Sequence, residues 1–313
     1  KYPIVCGAML WLATPTLCAA VSNAGGLGNI TACNYNSGEE LREAIHKTRA
    51  LTVCPFSVNI TLMPSMRITD EILADFFKVC AQEKVPALEV SGRPAREYLG
   101  MMKKAGVFTM HKVGSVRHAL NIEKAGYDAV IAAGVEEGGH PLNDDVTSMV
   151  LWPRIAESVN VPVLACGGIA DGRGLAAALV LGCEAAFMAT RFIATKECAV
   201  HPDIWNLLLA AKEQDTVLFG NSTGLQGRAL KNRLIEEILK KEAAGAGARE
   251  IIAMLPGVKA KEAWRTGKTD EAALMIGQSA GLIKDIPSCQ ELIENMMAEA
   301  RSVLHKNWER VKE

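Results

Sequence analysis

Short runs of apolar and β-branched residues alternate with longer stretches of helical periodicity from residue 1 to about residue 195. The short runs fall at 4–9, 27–30, 56–61, 87–90, 107–112, 129–133, 161–165 and 185–189. Their spacing leaves room for a crossover helix, as neighbouring parallel strands require. Start signals precede several of the helical stretches: Thr14-Pro15, Ser37, Thr69-Asp70 and Ser115 stand ahead of patterns over 17–23, 39–49, 71–83 and 116–124. Stop signals end them, with glycine at Gly25, Gly106, Gly126 and Gly182.

Eight strand–helix repeats is the number that closes a (β/α)8 barrel. An open doubly wound sheet shares the alternation. Against it, no Gly-x-Gly-x-x-Gly turn follows the first strand, and the chemically distinctive residues follow many strands instead of one switch point. The fold expected is therefore α/β, a TIM barrel over residues 1–200. From about residue 202 the strand rhythm stops, and helices are predicted over 203–212, 228–243, 248–255, 269–273 and 289–308. Leu292, Met296, Ala300, Val303 and Leu304 recur at helical spacing, a stripe that packs on the body of the protein. Residues 201–313 are expected to form a helical cap or extension that completes the active site. Within it, Gly277-Gln278-Ser279-Ala280-Gly281 reads as backbone drawn close to something.

Composition fits this picture. Hydrophobic residues make up 49% of the chain and aromatic residues 5%, so the core is built from Ala, Val, Ile and Leu, as buried parallel strands require. A formal net charge of -1 supplies no field to recruit nucleic acid or an anionic membrane, which leaves a small molecule as partner. The nine cysteines are odd in number and lack CxxC spacing, so free thiols in a reducing cytoplasm are expected. No apolar run of about 18 residues predicts a membrane span. The chain opens at Lys1-Tyr2-Pro3 directly before an apolar strand, and a short preceding segment is expected.

The candidate chemistry gathers at strand ends. After the seventh strand comes Cys166-Gly167-Gly168-Ile169-Ala170-Asp171-Gly172, and after the eighth Ala189-Thr190-Arg191. This pair of loops is where barrels bind phosphate, through backbone N–H groups and a helix N-terminus. A phosphorylated cofactor is the expected ligand, and Asn59 and Lys112 at the ends of strands three and five favour a flavin. A cation near the N1/C2 carbonyl would stabilise its anionic reduced ring. The sixth strand runs into Gly134-Val135-Glu136-Glu137-Gly138-Gly139-His140-Pro141, which can hold an imidazole for acid–base work. Of the six histidines only His140 has such a setting. No second histidine stands at metal-ligand spacing, so no metal is expected, and Asp144-Asp145 reads as the cap of helix six.

These segments resemble the nitronate monooxygenase family, formerly called 2-nitropropane dioxygenases. That group includes FMN-dependent NAD(P)H:quinone reductases and FMN-dependent enoyl-acyl-carrier-protein reductases. The resemblance covers nearly the whole chain. It is carried by residues 3–9, Ser22-Asn23-Ala24-Gly25-Gly26-Leu27-Gly28, Val58-Asn59-Ile60, Glu137-Gly138-Gly139-His140, 166–172, Thr190-Arg191-Phe192 and Gly277-Gln278-Ser279-Ala280-Gly281-Leu282. It implies FMN held by the backbone at Gly7, Ala8 and Met9, by Asn59 and Lys112 around the ring, and by Gly167, Gly168, Ala189 and Thr190 around the phosphate. Glu137 and Gly139 belong to the same cofactor-contacting set, Gln278 and Ser279 approach from the cap, and His140 is the catalytic residue.

The first function implied is oxidation of alkyl nitronates with O2. The alternative is an NAD(P)H-dependent reductase of a quinone or activated alkene, with NAD(P)H as co-substrate. A homodimer is left open. Where the family often has glycine two positions after the histidine, this chain has Leu142, which is expected to alter the acceptor pocket together with loops around Met9 and Met63-Pro64.

Overall fold

The computed structural model describes residues 1–63 and 67–312, so Pro64 lies outside the described residues. All eight expected strands form: β1 (Ile4–Cys6), β2 (Gly28–Thr31), β3 (Phe56–Leu62), β4 (Ala87–Gly92), β5 (Phe108–Val113), β6 (Ala129–Ala133), β7 (Val163–Cys166) and β8 (Ala185–Met188). They pair in parallel in the order β1-β8-β7-β6-β5-β4-β3-β2. The ring closes between β1 and β2, where Cys6 N–H donates to the Leu27 carbonyl and Leu27 N–H to the Ile4 carbonyl, each at 2.9 Å. The architecture is a TIM barrel.

The first seven strands are each succeeded by a helix: α1 (Pro15–Asn23), α2 (Gly38–Leu51), α3 (Asp70–Gln82), α4 (Arg96–Ala105), α5 (Val116–Ala125), α6 (Ser148–Ala156) and α7 (Gly172–Val180). Ser37 and Thr69 cap α2 and α3 through their hydroxyls, as expected. Thr14 and Ser115 stand at the cap positions of α1 and α5 without a side-chain cap bond. Gly106 and Gly126 end α4 and α5 in the left-handed conformation.

After β8 the helix α8 (Thr190–Ile193) is a single turn. The tail holds α9 (Pro202–Ala210), β9 (Thr216–Phe219), β10 (Gly227–Leu230), α10 (Arg233–Ala243), α11 (Ala248–Ala253), α12 (Gly257–Thr266) and α13 (Cys289–Val311). It is thus not all helical: β9 and β10 form an antiparallel hairpin. The helix expected from residue 228 starts at Arg233, because the backbone of 227–230 is consumed by strand pairing. Asn232 caps α10, accepting from Ile235 N–H at 2.9 Å. The helix expected over 269–273 is a turn, with the Asn232 side-chain amide donating to the Thr269 and Ala272 carbonyls at 2.7 Å each. No helix was expected at α12. Among the described residues, no helix is long and apolar enough to cross a membrane.

The last helix takes the place that the short α8 leaves open, packing against α7 and α1 with Leu292, Met296 and Ala300 buried. Its approach to α7 is close: a Cβ at Gly172 would fall 2.4 Å from the Met296 carbonyl oxygen.

The barrel interior explains where the site lies. Val5, Ala87, Met110, Ala129, Ile131, Ala133, Leu164, Cys166 and Phe187 form one inner cluster, separate from the layer between strands and helices. Side chains alternate across a strand, so Asn29, Glu89, Ser91 and Lys112 share this inner face with Leu27, Ala87 and Met110. Near its C-terminal mouth the interior is therefore polar along β2–β5 and small or apolar along β6–β8.

Candidate active site

A cavity opens at the C-terminal ends of the strands. It is walled by Ala8, Glu89, Ser91, Lys112, Glu137, Gly138, Cys166, Gly167, Gly168, Ile169, Phe187, Met188, Ala189, Thr190 and Ser279. Eight of these were singled out from sequence: Ala8, Lys112, Glu137, Gly167, Gly168, Ala189, Thr190 and Ser279. Gly7, Met9, Asn59, Gly139, His140 and Gln278 adjoin the wall in sequence or through partners instead of forming it.

Lys112 is the one cation among the described residues walling the cavity. Its Nζ donates to Glu137 Oε1 at 2.8 Å and to the His140 carbonyl at 3.2 Å, with the lysine side chain 15% exposed and the glutamate 7%. Burial alone would lower the ammonium pKa, but the negative charge of Glu137 beside it outweighs that and the value is raised. The other Glu137 oxygen accepts from Cys166 Sγ at 3.4 Å.

Glu89 is a second carboxylate, which the sequence reading missed. It lies 1% exposed on the inner face of β4, accepting from Asn59 Nδ2 at 2.5 Å, from Asn29 Nδ2 at 3.5 Å and from the Ser91 hydroxyl. Burial pushes its pKa up, offset in part by Ser91, Lys112 and Asn59. Asn59 is therefore a buried donor to Glu89, with its own Oδ1 accepting from Thr61 Oγ1 at 3.2 Å. The strand-two-to-five parity of Asn29, Asn59, Glu89 and Lys112 was the available signal.

The loop after β6 is held on both flanks. Gly138 is needed for close approach, since a Cβ there would lie 2.5 Å from Gly277 N in the tail. Gly139 exchanges both backbone hydrogen bonds with Arg228 of β10, at 3.1 and 2.7 Å. The Arg228 guanidinium reaches back, Nε donating to the Val135 carbonyl at 2.8 Å and Nη1 to Thr216 Oγ1 at 3.3 Å. His140 Nδ1–H donates to the Gln226 carbonyl at 3.2 Å, which leaves Nε2 without a proton and able to accept one. Burial, then the charge on Lys112, lowers the imidazole pKa below 6.5, with the Gln226 contact opposing. Neither Gln226 nor Arg228 was found from sequence: 228–243 read as one helix, and Gln226 acts through a main-chain carbonyl that its residue type does not reveal.

Two expectations about helix ends are corrected. Asp144 and Asp145 do not cap α6. Glu136 does, its carboxylate accepting from Ser148 N–H at 3.0 and 3.1 Å and from Ser148 Oγ at 2.9 Å. The helix after strand seven does not offer a free N-terminus to an anion either: Asp171 accepts from Arg173 and Gly174 N–H, and Gly172 N–H donates to Glu299 at 2.7 Å. What remains is the backbone of Gly167 and Gly168 and the start of α8, where Thr190 Oγ1 accepts from Gly277 N–H at 3.0 Å. Gly168 has φ +73°, and a Cβ there would project into open space. Leu142, expected to reshape the pocket, packs on Gly114, where a Cβ would lie 2.6 Å from its own. Gln278 N–H donates to the Glu136 carbonyl at 3.0 Å, so the tail backbone docks on the same loop.

Residues 1–299 match a family model described as nitronate monooxygenase. A curated relative from Staphylococcus saprophyticus, a probable nitronate monooxygenase, is 30% identical, covering 98% of this chain and 96% of its own. A second, from Rhodococcus jostii, is 31% identical over 96% of this chain and 93% of its own and is named (3aS,4S,5R,7aS)-5-hydroxy-7a-methyl-1-oxo-octahydro-1H-indene-4-carboxyl-CoA dehydrogenase. The solved structure of FabK from Thermotoga maritima superposes with TM-score 0.92 at 38% identity, covering 99% of this chain and 96% of that one.

Proposed function

Because the chain belongs to the nitronate monooxygenase family, we propose that its barrel mouth binds FMN and that it oxidises alkyl nitronates with O2, His140 handling the proton. Membership makes the chain an oxidoreductase. The cofactor, the substrate and the residue roles are the proposal.

The cavity suits a flavin mononucleotide. An anion has the backbone of Gly167, Gly168, Ala189 and Thr190, where left-handed glycine leaves the space beside the chain empty. A flat ring with one polar and one apolar end has a mouth of the same division, with Glu89, Ser91 and Lys112 on one side, Asn59 behind Glu89, and Cys166 and Phe187 on the other. Ala8 walls the ring space and Gly7 and Met9 flank it. Glu137 and Gly139 stand on the loop behind, and Gln278 and Ser279 close from the tail. Bound there, FMN supplies reversible acceptance of two electrons.

The observation that carries the reading is the His140 tautomer. With Nδ1–H committed to Gln226, the neutral ring presents Nε2 as a base, able to take a proton from a carbon next to a nitro group or to hold a substrate oxygen once protonated. Gly139 and Arg228 fix the loop, so the base is positioned before substrate arrives.

A second reading is an NAD(P)H-dependent reductase of a quinone or activated alkene, with the nicotinamide as co-substrate. The dehydrogenase name of the Rhodococcus relative favours it, since such chemistry moves hydride at carbon. Anaerobic mixing with NADH, NADPH or propionate 3-nitronate, watched at the flavin absorption band, separates the two. Bleaching by the nitronate alone, with O2 uptake on re-aeration, is expected. Bleaching by nicotinamide alone would overturn the first reading in favour of the second, and protein that takes up no FMN would overturn both.

A further inference from the structure

Among the described residues walling the cavity there is one cation, Lys112, and two carboxylates, Glu89 and Glu137. The cation is already engaged: its ammonium lies 2.8 Å from Glu137, and both side chains are mostly removed from water. Pairs so buried are screened little by salt. The carboxylate is held in turn by the Cys166 thiol at 3.4 Å. Of the remaining groups facing the pair, Glu89 adds no positive charge, and His140 approaches through its backbone carbonyl. The mouth therefore presents a fixed dipole where a lone lysine would present a full charge.

We propose that Glu137 is a counter-ion that cancels Lys112 toward the flavin and makes the bound FMN a stronger reductant than an unpaired lysine would. The proposal rests on the FMN reading above. Two electrons and one proton, arriving together as hydride, leave one negative charge on the reduced ring near neutral pH. A cation beside the ring binds that anion more tightly than the oxidised form, which raises the potential. A lysine neutralised by its neighbour does so much less. Glu137 is thereby a tuning residue and needs no contact with the reacting atoms.

The test uses FMN-loaded wild type, Glu137→Gln, Lys112→Met and the double variant, each titrated with dithionite against a reference dye. Glu137→Gln is expected to favour the reduced flavin at least tenfold, a rise of about 30 mV for a two-electron couple. It is also expected to form the flavin–sulfite adduct, another anion on the ring, at least tenfold more tightly. Lys112→Met should move both readouts the opposite way, and the double variant should return toward wild type. A Glu137→Gln protein that holds FMN with unchanged potential and sulfite affinity overturns the proposal and leaves the FMN reading standing. Should that variant fail to hold FMN, the comparison of Lys112→Met with the double variant decides, and equal potentials overturn it. Wild type that takes up no FMN defeats the underlying reading instead.

Discussion

His140 and Gln226 meet across the joint between the barrel and its tail, the imidazole Nδ1 donating to the Gln226 carbonyl oxygen at 3.2 Å. A backbone carbonyl can only accept, so the contact selects the tautomer with the proton on Nδ1 and the lone pair on Nε2. The base is thus set by a main-chain atom of the loop leading into β10, where no side-chain substitution at position 226 removes it.

Replacing His140 by Asn should retain FMN and lower kcat/KM by about 10²-fold or more, the usual worth of a positioned acid–base group. The pH profile carries the sign. Burial and then Lys112 lower the imidazole pKa from 6.5, so the active neutral form persists into mild acid, and activity falls only below that value. An acid limb centred at or above 6.5, or one that survives in the Asn variant, would contradict the assignment.

Arg228 holds the same loop without touching the cavity. Its guanidinium satisfies the Val135 carbonyl at 2.8 Å while its backbone pairs with Gly139. Arg228→Met should therefore cost about 1.5–3 kcal/mol of stability, the range for a charged hydrogen bond. It should also move the acid limb of kcat/KM further below the ordinary histidine value, because the Gln226 contact that favours the protonated ring loosens. Denaturant unfolding and a pH–rate profile check the two effects. A profile unmoved beside a large stability loss would reduce Arg228 to a structural residue.

Gly168→Ala tests the phosphate cradle. A φ of +73° places this residue in the left-handed region, which costs a non-glycine residue about 1–2 kcal/mol. The added methyl would also enter the space in which the anion is proposed to sit. FMN affinity should fall at least about tenfold, measured by quenching of flavin fluorescence, while far-UV circular dichroism stays unchanged. Undiminished affinity would remove Gly168 from the cofactor site.

The barrel was legible because each inner strand is a short apolar or β-branched run bounded by glycine or a capping residue, and burial on both faces demands such a run. The hairpin was not. Gly227–Leu230 is a strand of four residues, and Arg-Ala-Leu is equally at home in a helix, so only its partners, β9 and the Gly139 loop, decide its state. The same logic governs the site. Lys112 and His140 announce themselves by residue type at strand ends, whereas Glu89 looked like one polar residue within a strand until parity placed it beside Asn59. Adjacent Glu136 and Glu137 are alike by residue type and position, and only the family resemblance picked out Glu137. One caps α6 and the other pairs with Lys112, a division that tertiary contacts alone determine.

Acid sensitivity should trace in part to a histidine outside the cavity. His111 is fully buried beneath α5, edge-on to His118 and Tyr127, with Nδ1 donating to the Lys112 carbonyl at 2.7 Å. Burial, and then His118, lowers its pKa to about 4 from an ordinary 6.5. Between those values the unfolded chain binds the proton and the folded one does not, so stability falls as pH drops from 6.5 and levels off below about 4. The full difference corresponds to about 3 kcal/mol. His111→Gln keeps a donor for the carbonyl and removes the titration, so urea unfolding at pH 7 and pH 4.5 should show wild type losing roughly 2–3 kcal/mol more than the variant. Equal losses in the two proteins would mean that His111 takes up its proton inside the fold, against the burial observed around it.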